Sequence, residues 1–242
     1  VDRNLGSNTT GRGLSPLPEP ISWFLMDVFL QSLKYILLGT GITVSVTLIA
    51  LPFGFILGLV LALMRVYGGR ILTNLAATYG TLMRAVPPVV LLFLIYFIIA
   101  GSINISPFFA GSLALGIISS AYQLEIFRGA LQAIGSGQMM AARSIGMKRG
   151  QAIQYIILPQ ALRVVIPSWS NEAATVVKDS SLVYAIGVAE ILRRAQFISA
   201  RTYQPFLAFS IAALIYFGLT FLTNRLLDSL EERVRIPGAD MN

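Results

Sequence analysis

No charged residue occurs between Tyr35 and Met64, and a helix of these 30 residues, rising 1.5 Å per residue, exceeds the roughly 30 Å hydrocarbon core of a bilayer even with tilt. A second uncharged stretch runs from Ala85 to Leu124, and its middle, Gly101 to Pro107, has the composition of a tight external turn. It reads as a hairpin of two helices, approximately Leu75 to Ala100 and Phe108 to Ala130. A fourth hydrophobic stretch is divided: Val164 to Val177 and Leu182 to Leu192 are each too short to cross alone and are separated by Lys178, Asp179, Ser180 and Ser181. A broken helix is expected there. The fifth span, Phe206 to Leu222, is uniformly apolar. The expected fold class is therefore all-α, a polytopic membrane bundle of five transmembrane helices.

Composition agrees. The 242 residues are 55% hydrophobic and 12% charged, against about a quarter charged in soluble domains, and mean hydropathy is +0.74. The net charge of +7 matches an anionic inner leaflet beside cytoplasmic loops and not nucleic acid. With neither cysteine nor histidine, thiol nucleophiles, disulfides, zinc sites and histidine general bases are excluded together.

Residues 1–20 read as a flexible polar tail without the apolar core of a secretory signal. Residues 21–34 place Asp27, Gln31 and Lys34 on one face and Trp23, Phe24, Phe29 and Leu30 on the other, the pattern of a helix lying along the interface. The transmembrane domain then occupies 35–230, and 231–242 form an amphipathic, water-exposed tail. Arg65, Arg70, Arg128, Arg143, Lys148, Arg149 and Arg163 lie in loops on one side, against Arg193, Arg194 and Arg201 on the other. That asymmetry puts the 131–163 loop and the C-terminus in the cytoplasm and the N-terminus outside.

Several residues are candidates for more than packing. Gly54 and Gly58 form a small-xxx-small pair, read either as a site of close helix approach or as chance spacing in a Gly-rich span. Arg84 and Glu125 fall about 17 or 18 residues from the external turn on opposite arms, roughly 25 Å down at helical rise, hence at similar depth. Two readings follow: an ion pair, or an arginine snorkelling to lipid phosphate beside a glutamate at a frayed helix end. Glu172, Thr175 and Asp179 share one helical face, whereas Lys178 and Asp179 point about 100° apart and cannot easily pair. A break at Ser180 and Ser181 would offer a half-helix N-terminus. The alternative for this group is a structural network with a neighbouring span.

The loop GQMMAARSIGMKRGQAIQYIILP, Gly137 to Pro159, reads as a short helix, a turn at Gly146 and a second helix that ends where Pro159 bars its continuation. It resembles the EAA loop of binding-protein-dependent ABC importer permeases, with Met140 in place of the glutamate usual before the paired alanines Ala141 and Ala142. Three further motifs are similar to the polar amino acid subfamily: YQLEIFRGALQAI from Tyr122 to Ile134, followed by Gly137 and Gln138; MRAVPPVVLLFLIYF from Met83 to Phe97; and KDSSL from Lys178 to Leu182. In the second of these Pro87 and Pro88 are doubled and Leu91 replaces a glutamine.

The resemblance implies a type I importer permease fold and a non-catalytic transport subunit that binds no cofactor. ATP and Mg would be used by two ABC ATPase subunits. A second permease chain, identical or similar, and an extracytoplasmic amino acid-binding protein complete the expected assembly, in a bacterial inner membrane. Gln138, Met140, Ala141, Ala142, Gly146, Leu158 and Pro159 are the implied ATPase-coupling residues. Arg84, Glu125, Glu172, Lys178, Asp179, Ser180 and Ser181 are assigned to a substrate pathway, with Lys178 and the half-helix N-terminus drawing an amino acid's carboxylate and Asp179 or Glu172 its ammonium.

No Gly-x-x-x-x-Gly-Lys-Ser/Thr run is present, so nucleotide hydrolysis belongs to another polypeptide. Two other readings compete. A secondary transporter driven by an ion gradient would use the broken fourth span and Asp179 for coupling and leave the 131–163 loop idle. An intramembrane enzyme would rest on Lys178 beside Ser180 and Ser181 alone.

Overall fold

A computed structural model describes residues 21–234 apart from 103 and 135, with the backbone alone at 21–27, 100 and 234. The expected tail 1–20 and the last residues of the C-terminal tail lie outside the described residues, as do the side chains of Trp23, Phe24 and Asp27. Among the described residues there is no strand. Helix α1 (Ile21–Leu37) extends past Lys34 and joins α2 (Gly39–Tyr67) through a single turn residue. Then follow α3 (Arg70–Ala85), α4 (Pro88–Ser102) and α5 (Pro107–Ala133). Beyond them lie α6 (Ser136–Ser144), α7 (Arg149–Ala152), a π segment (Ile153–Ile157), α8 (Leu158–Val164) and α9 (Ile166–Asp179). A 3₁₀ segment (Ser180–Ile186), α10 (Ile191–Thr202) and α11 (Pro205–Val234) complete the chain.

The α2–α5 pair is the spine. A Cβ on Gly54 would lie 2.6 Å from Gln123 Nε2, one on Gly58 2.9 Å from Ser120 O, and one on Gly116 2.9 Å from Ala50 O. Only residues without a side chain let these backbones come so close. The Gly54/Gly58 spacing thus marks true close approach. It also fixes direction: Ala50 sits beside Gly116 while Arg65 bonds Glu125, so α2 and α5 run parallel.

Parallel neighbours need a crossing between them. The chain supplies it as α3 and α4, which are bent by 115° at Val86 and Pro87 and do not form the straight helix expected over Leu75 to Ala100. The doubled proline is the cause. Val86 is held extended (φ −104°, ψ 139°) by the ring that follows it, and Pro88 starts a new helix where its missing N–H costs nothing.

The return after α5 runs from Arg149, which stacks on Tyr67 at one end of α2, to Ile191, whose backbone lies against Gly39 at the other. It is a helical rod from α7 to the 3₁₀ segment, and α11 then leads back. By apolar length alone three helices qualify as spans, four with the α3–α4 pair. The rod completes five traverses of the bundle, but its helical segments are each too short to qualify. Three apolar clusters hold these elements. Val46, Leu92, Leu115, Ile118, Val176 and Val183 join α2, α4, α5 and the rod. Phe127, Leu131, Ile157 and Ala161 lie at the α6 end, and Ile36, Ile191, Ala208 and Ile211 at the other.

Candidate functional site

At the α6 end the chain folds as a short helix, a reversal and a second helix. Gly146 adopts φ +88°. Its N–H donates to Arg143 O at 3.1 Å and the Met147 N–H donates to Ala142 O at 3.1 Å, the paired bonds of a Schellman ending that glycine makes without strain. Lys148 then returns to extended backbone, and its N–H donates to Gln151 Oε1 at 2.8 Å, starting α7. Ala142 is buried (2%), and its neighbour on α6, Met139, packs against the Phe127 cluster. Gln138, Met140 (62%), Ala141 and Ile145 (77%) are exposed. The segment therefore projects from the bundle with an apolar face and a single buried root.

The helix does not end at Pro159. Proline cannot donate to the carbonyl four residues back, and its ring crowds that carbonyl. The chain widens into the π segment just before it, with the Leu158 N–H reaching Ile153 O five residues away, and α8 begins across the proline. Leu158 is half-buried and Pro159 exposed. What was expected as a stop is a wide turn within a continuous rod.

Inside the bundle a string of polar side chains ties α5 to α9. Trp169 Nε1 donates to Gln123 Oε1 at 2.9 Å, Gln123 Nε2 donates to Ser119 Oγ at 3.0 Å, and the Ser119 hydroxyl donates to Glu172 Oε1 at 2.6 Å. Glu172, Thr175 and Asp179 line a cavity of about 120 Å³ with Tyr122, Ser119 and Leu115. The shared face predicted for the three α9 residues is therefore real. Lys178 is exposed and does not line this cavity. Ser180 and Ser181 open no half-helix N-terminus: Ser180 stays right-handed helical, its hydroxyl donates to Val177 O at 2.6 Å, and the chain tightens into 3₁₀ turns until Gly187 at φ +91° ends them. Backbone bonding never lapses at the serines, and this removes the expected anion-binding end.

The next α-helix start lies at α10, and the chain itself fills it. Glu190, fully buried, accepts from Leu192 N at 2.8 Å and Arg193 N at 2.7 Å, and the Tyr216 hydroxyl donates at 2.5 Å to Oε2, the oxygen that Leu192 N also reaches. Glu190 is not among the residues expected from sequence to matter. The available signal was an acidic residue directly before an amphipathic stretch.

Arg84 and Glu125 form the ion pair that their depth allowed, at 3.0 Å, but in larger company: Arg128 Nε lies 2.7 Å from the same carboxylate, and Arg65 pairs with it as well. Neither Arg84 nor Glu125 lines the Glu172 cavity, so the residues assigned to one pathway occupy two separate places. Among the described residues no group of three or more acidic side chains is placed to hold a metal ion.

Residues 50–236 match the sequence profile described as "Binding-protein-dependent transport system inner membrane component". The chain belongs to that family. It is 34% identical over 201 residues to the glutamine transport system permease protein of Escherichia coli (strain K12), covering 82% of this chain and 92% of that one. It is 32% identical over 212 residues to the nopaline transport system permease protein of Agrobacterium fabrum, covering 83% and 88%. Among solved structures, a chain from an amino acid ABC transporter with histidines superposes with a TM-score of 0.72 at 35% identity, covering 90% of this chain and all of that one. The permease fold, all-α and polytopic, is thus that of an ABC importer's membrane component.

Proposed function

We propose that this permease carries a polar amino acid inward across the bacterial inner membrane, driven by ATP and Mg used on two separate ABC ATPase subunits. A second permease chain, identical or similar, would form the other half of the pathway, and an extracytoplasmic binding protein would deliver the solute. The substrate class rests on the glutamine and nopaline systems among its relatives. The N-terminus lies outside and the C-terminus in the cytoplasm, a reading supported by the excess of basic residues in the loops on one side.

The observation that carries the proposal is the exposed face of α6, rooted by Ala142 and joined through Gly146 to a rod that runs to Glu172 and Asp179. Gln138, Met140 and Ala141 meet the ATPase there. Met140 makes an apolar contact where a carboxylate would make a polar one. Motion of α6 reaches the rod because Met139 packs against the cluster that holds Ile157 and Phe127, too closely for the two to slide independently. At the other end of that path Glu172 and Asp179 face the amino acid's ammonium. Lys178, on the next face of the same helix, meets its carboxylate across the cleft between two permease chains.

Gly146→Leu is the test, because only glycine holds φ +88° without strain. ATP-driven uptake of labelled glutamine into proteoliposomes, with the binding protein outside, is expected to be lost while the variant still co-purifies with its ATPase. Undiminished uptake would count against coupling through this segment, and uptake persisting under an ion gradient without ATP would favour a secondary transporter.

A further inference from the structure

Three arginines from three helices converge on one carboxylate. Arg65 comes from the last turn of α2, Arg84 from the last turn of α3 and Arg128 from α5, all meeting Glu125. The group carries two more positive than negative charges, and like charges this close repel unless something answers them. The carboxylate lies deepest, with its side chain 17% exposed, while those of the arginines are 23%, 36% and 32% exposed and fan outward. Beyond Glu125 the guanidinium hydrogen bonds are Arg84 Nε to Gly80 O at 2.9 Å and Arg128 Nη1 to Gln132 Oε1 at 2.7 Å. Each guanidinium has five N–H donors, so among the described residues most of them face outward without an acceptor.

The surroundings say which anion fits. Arg65 ends the uncharged run of α2, so the cluster sits where the apolar span gives way to water. Ile71, Leu75 and Leu82 are exposed along the side of α3 opposite Ala76, Gly80 and Arg84, so this helix carries an apolar stripe on one side and the arginine on the other, as suits a helix at the boundary between lipid and water. Arg149, stacked on Tyr67, extends the basic rim. We propose that Arg65, Arg84 and Arg128 form a headgroup site for an anionic phospholipid, whose phosphate supplies the negative charge that Glu125 alone cannot. The lipid then ties α2, α3 and α5 together at the α6 end of the bundle. This site is independent of the solute carried and of the Glu172 cavity.

Native mass spectrometry of the detergent-purified permease–ATPase complex tests it, with dioleoyl phosphatidylglycerol and dioleoyl phosphatidylcholine as the probes. Retention of phosphatidylglycerol over phosphatidylcholine is expected, reduced about fivefold by Arg84→Gln or Arg128→Gln and further by both. Glu125→Gln should instead raise retention, since it frees guanidinium donors, and a merely structural cluster would not produce that opposite sign. Either arginine variant suffices if the other fails to assemble. Equal retention of the two lipids, or unchanged retention in the arginine variants, would overturn the proposal. Displacement by millimolar inorganic phosphate would assign the site to free phosphate, and retention by the permease alone that vanishes when the ATPase binds would assign the surface to that subunit; both outcomes overturn the lipid reading.

Discussion

Glu190 and Glu172 are both buried carboxylates in an apolar bundle, but they are met very differently. Glu190 receives three donors, two from backbone N–H groups at the start of α10 and one from Tyr216 on α11. Glu172 receives one, from Ser119, and turns toward a cavity shared with Asp179. A carboxylate whose acceptor capacity is filled by its own chain is fixed and has nothing to offer a solute. One left with open lone pairs beside a cavity, held only by the string from Trp169 through Gln123, retains capacity for an incoming donor. The difference separates an acid occupied by its own chain from one with room for another donor, without reference to depth or charge.

The largest effect that can break this comparison is at Glu190. Glu190→Ala strips an N-cap and leaves the Tyr216 hydroxyl and two backbone N–H groups without an acceptor, together worth about 3–5 kcal/mol. The protein should fail to accumulate in membranes or should elute as aggregate on size-exclusion chromatography. Glu190→Gln keeps an acceptor for the cap and should recover most of the folded yield. An alanine variant that folds normally would show that three donors do not make a structural acid.

Next comes the spine on which both acids depend. A methyl at Gly58 would sit 2.9 Å from both Gln123 Cβ and Ser120 O, and a backbone oxygen cannot rotate away. Gly58→Ala is expected to lower stability by about 1–3 kcal/mol, read as a lower thermal unfolding midpoint in detergent, and to weaken the Gln123 string with it. Gly41, with open space where its Cβ would be, is the control and should tolerate alanine.

Much of this architecture is legible in the residues alone. The uncharged runs mark the apolar spans because a charge in lipid is costly, and equal distance from a turn brings Arg84 and Glu125 to one depth. Other features depend on partners that the local sequence does not name. The doubled proline announces a break but not its 115° angle, which is set by Leu91 and Leu92 packing into the α5 cluster. Pro159 reads as a stop because the cost of proline is local, while the π turn that absorbs it is stabilised by Ile157 in a distant cluster. Arg65 and Arg128 count as loop charges until α2 and α5 are seen to be parallel. Glu190 gains its third donor from a tyrosine 26 residues away on another helix.

At Glu172 the expected change is in transport and not in folding. Glu172→Gln retains an acceptor for Ser119 and should cost at most about 1 kcal/mol of stability. If the open carboxylate serves the solute's ammonium, the apparent affinity for transported amino acid should weaken about tenfold, as for loss of one charge-assisted contact. Unchanged uptake together with a sharp loss of stability would move Glu172 into the same class as Glu190.

The smallest effect, and the one that sharpens the comparison most finely, is at Lys178. It is adjacent to Asp179 in sequence yet about 100° away around the helix, exposed and absent from the cavity wall. Within one chain Lys178→Ala removes no buried contact, so the unfolding midpoint should be unchanged within about 0.5 kcal/mol. Asp179→Asn, one position along, should alter substrate preference by leaving Glu172 as the only carboxylate on the cavity. If Lys178→Ala reduces uptake as much as Asp179→Asn, then both faces of α9 line the pathway, and the second permease chain must close it on the side where Lys178 stands.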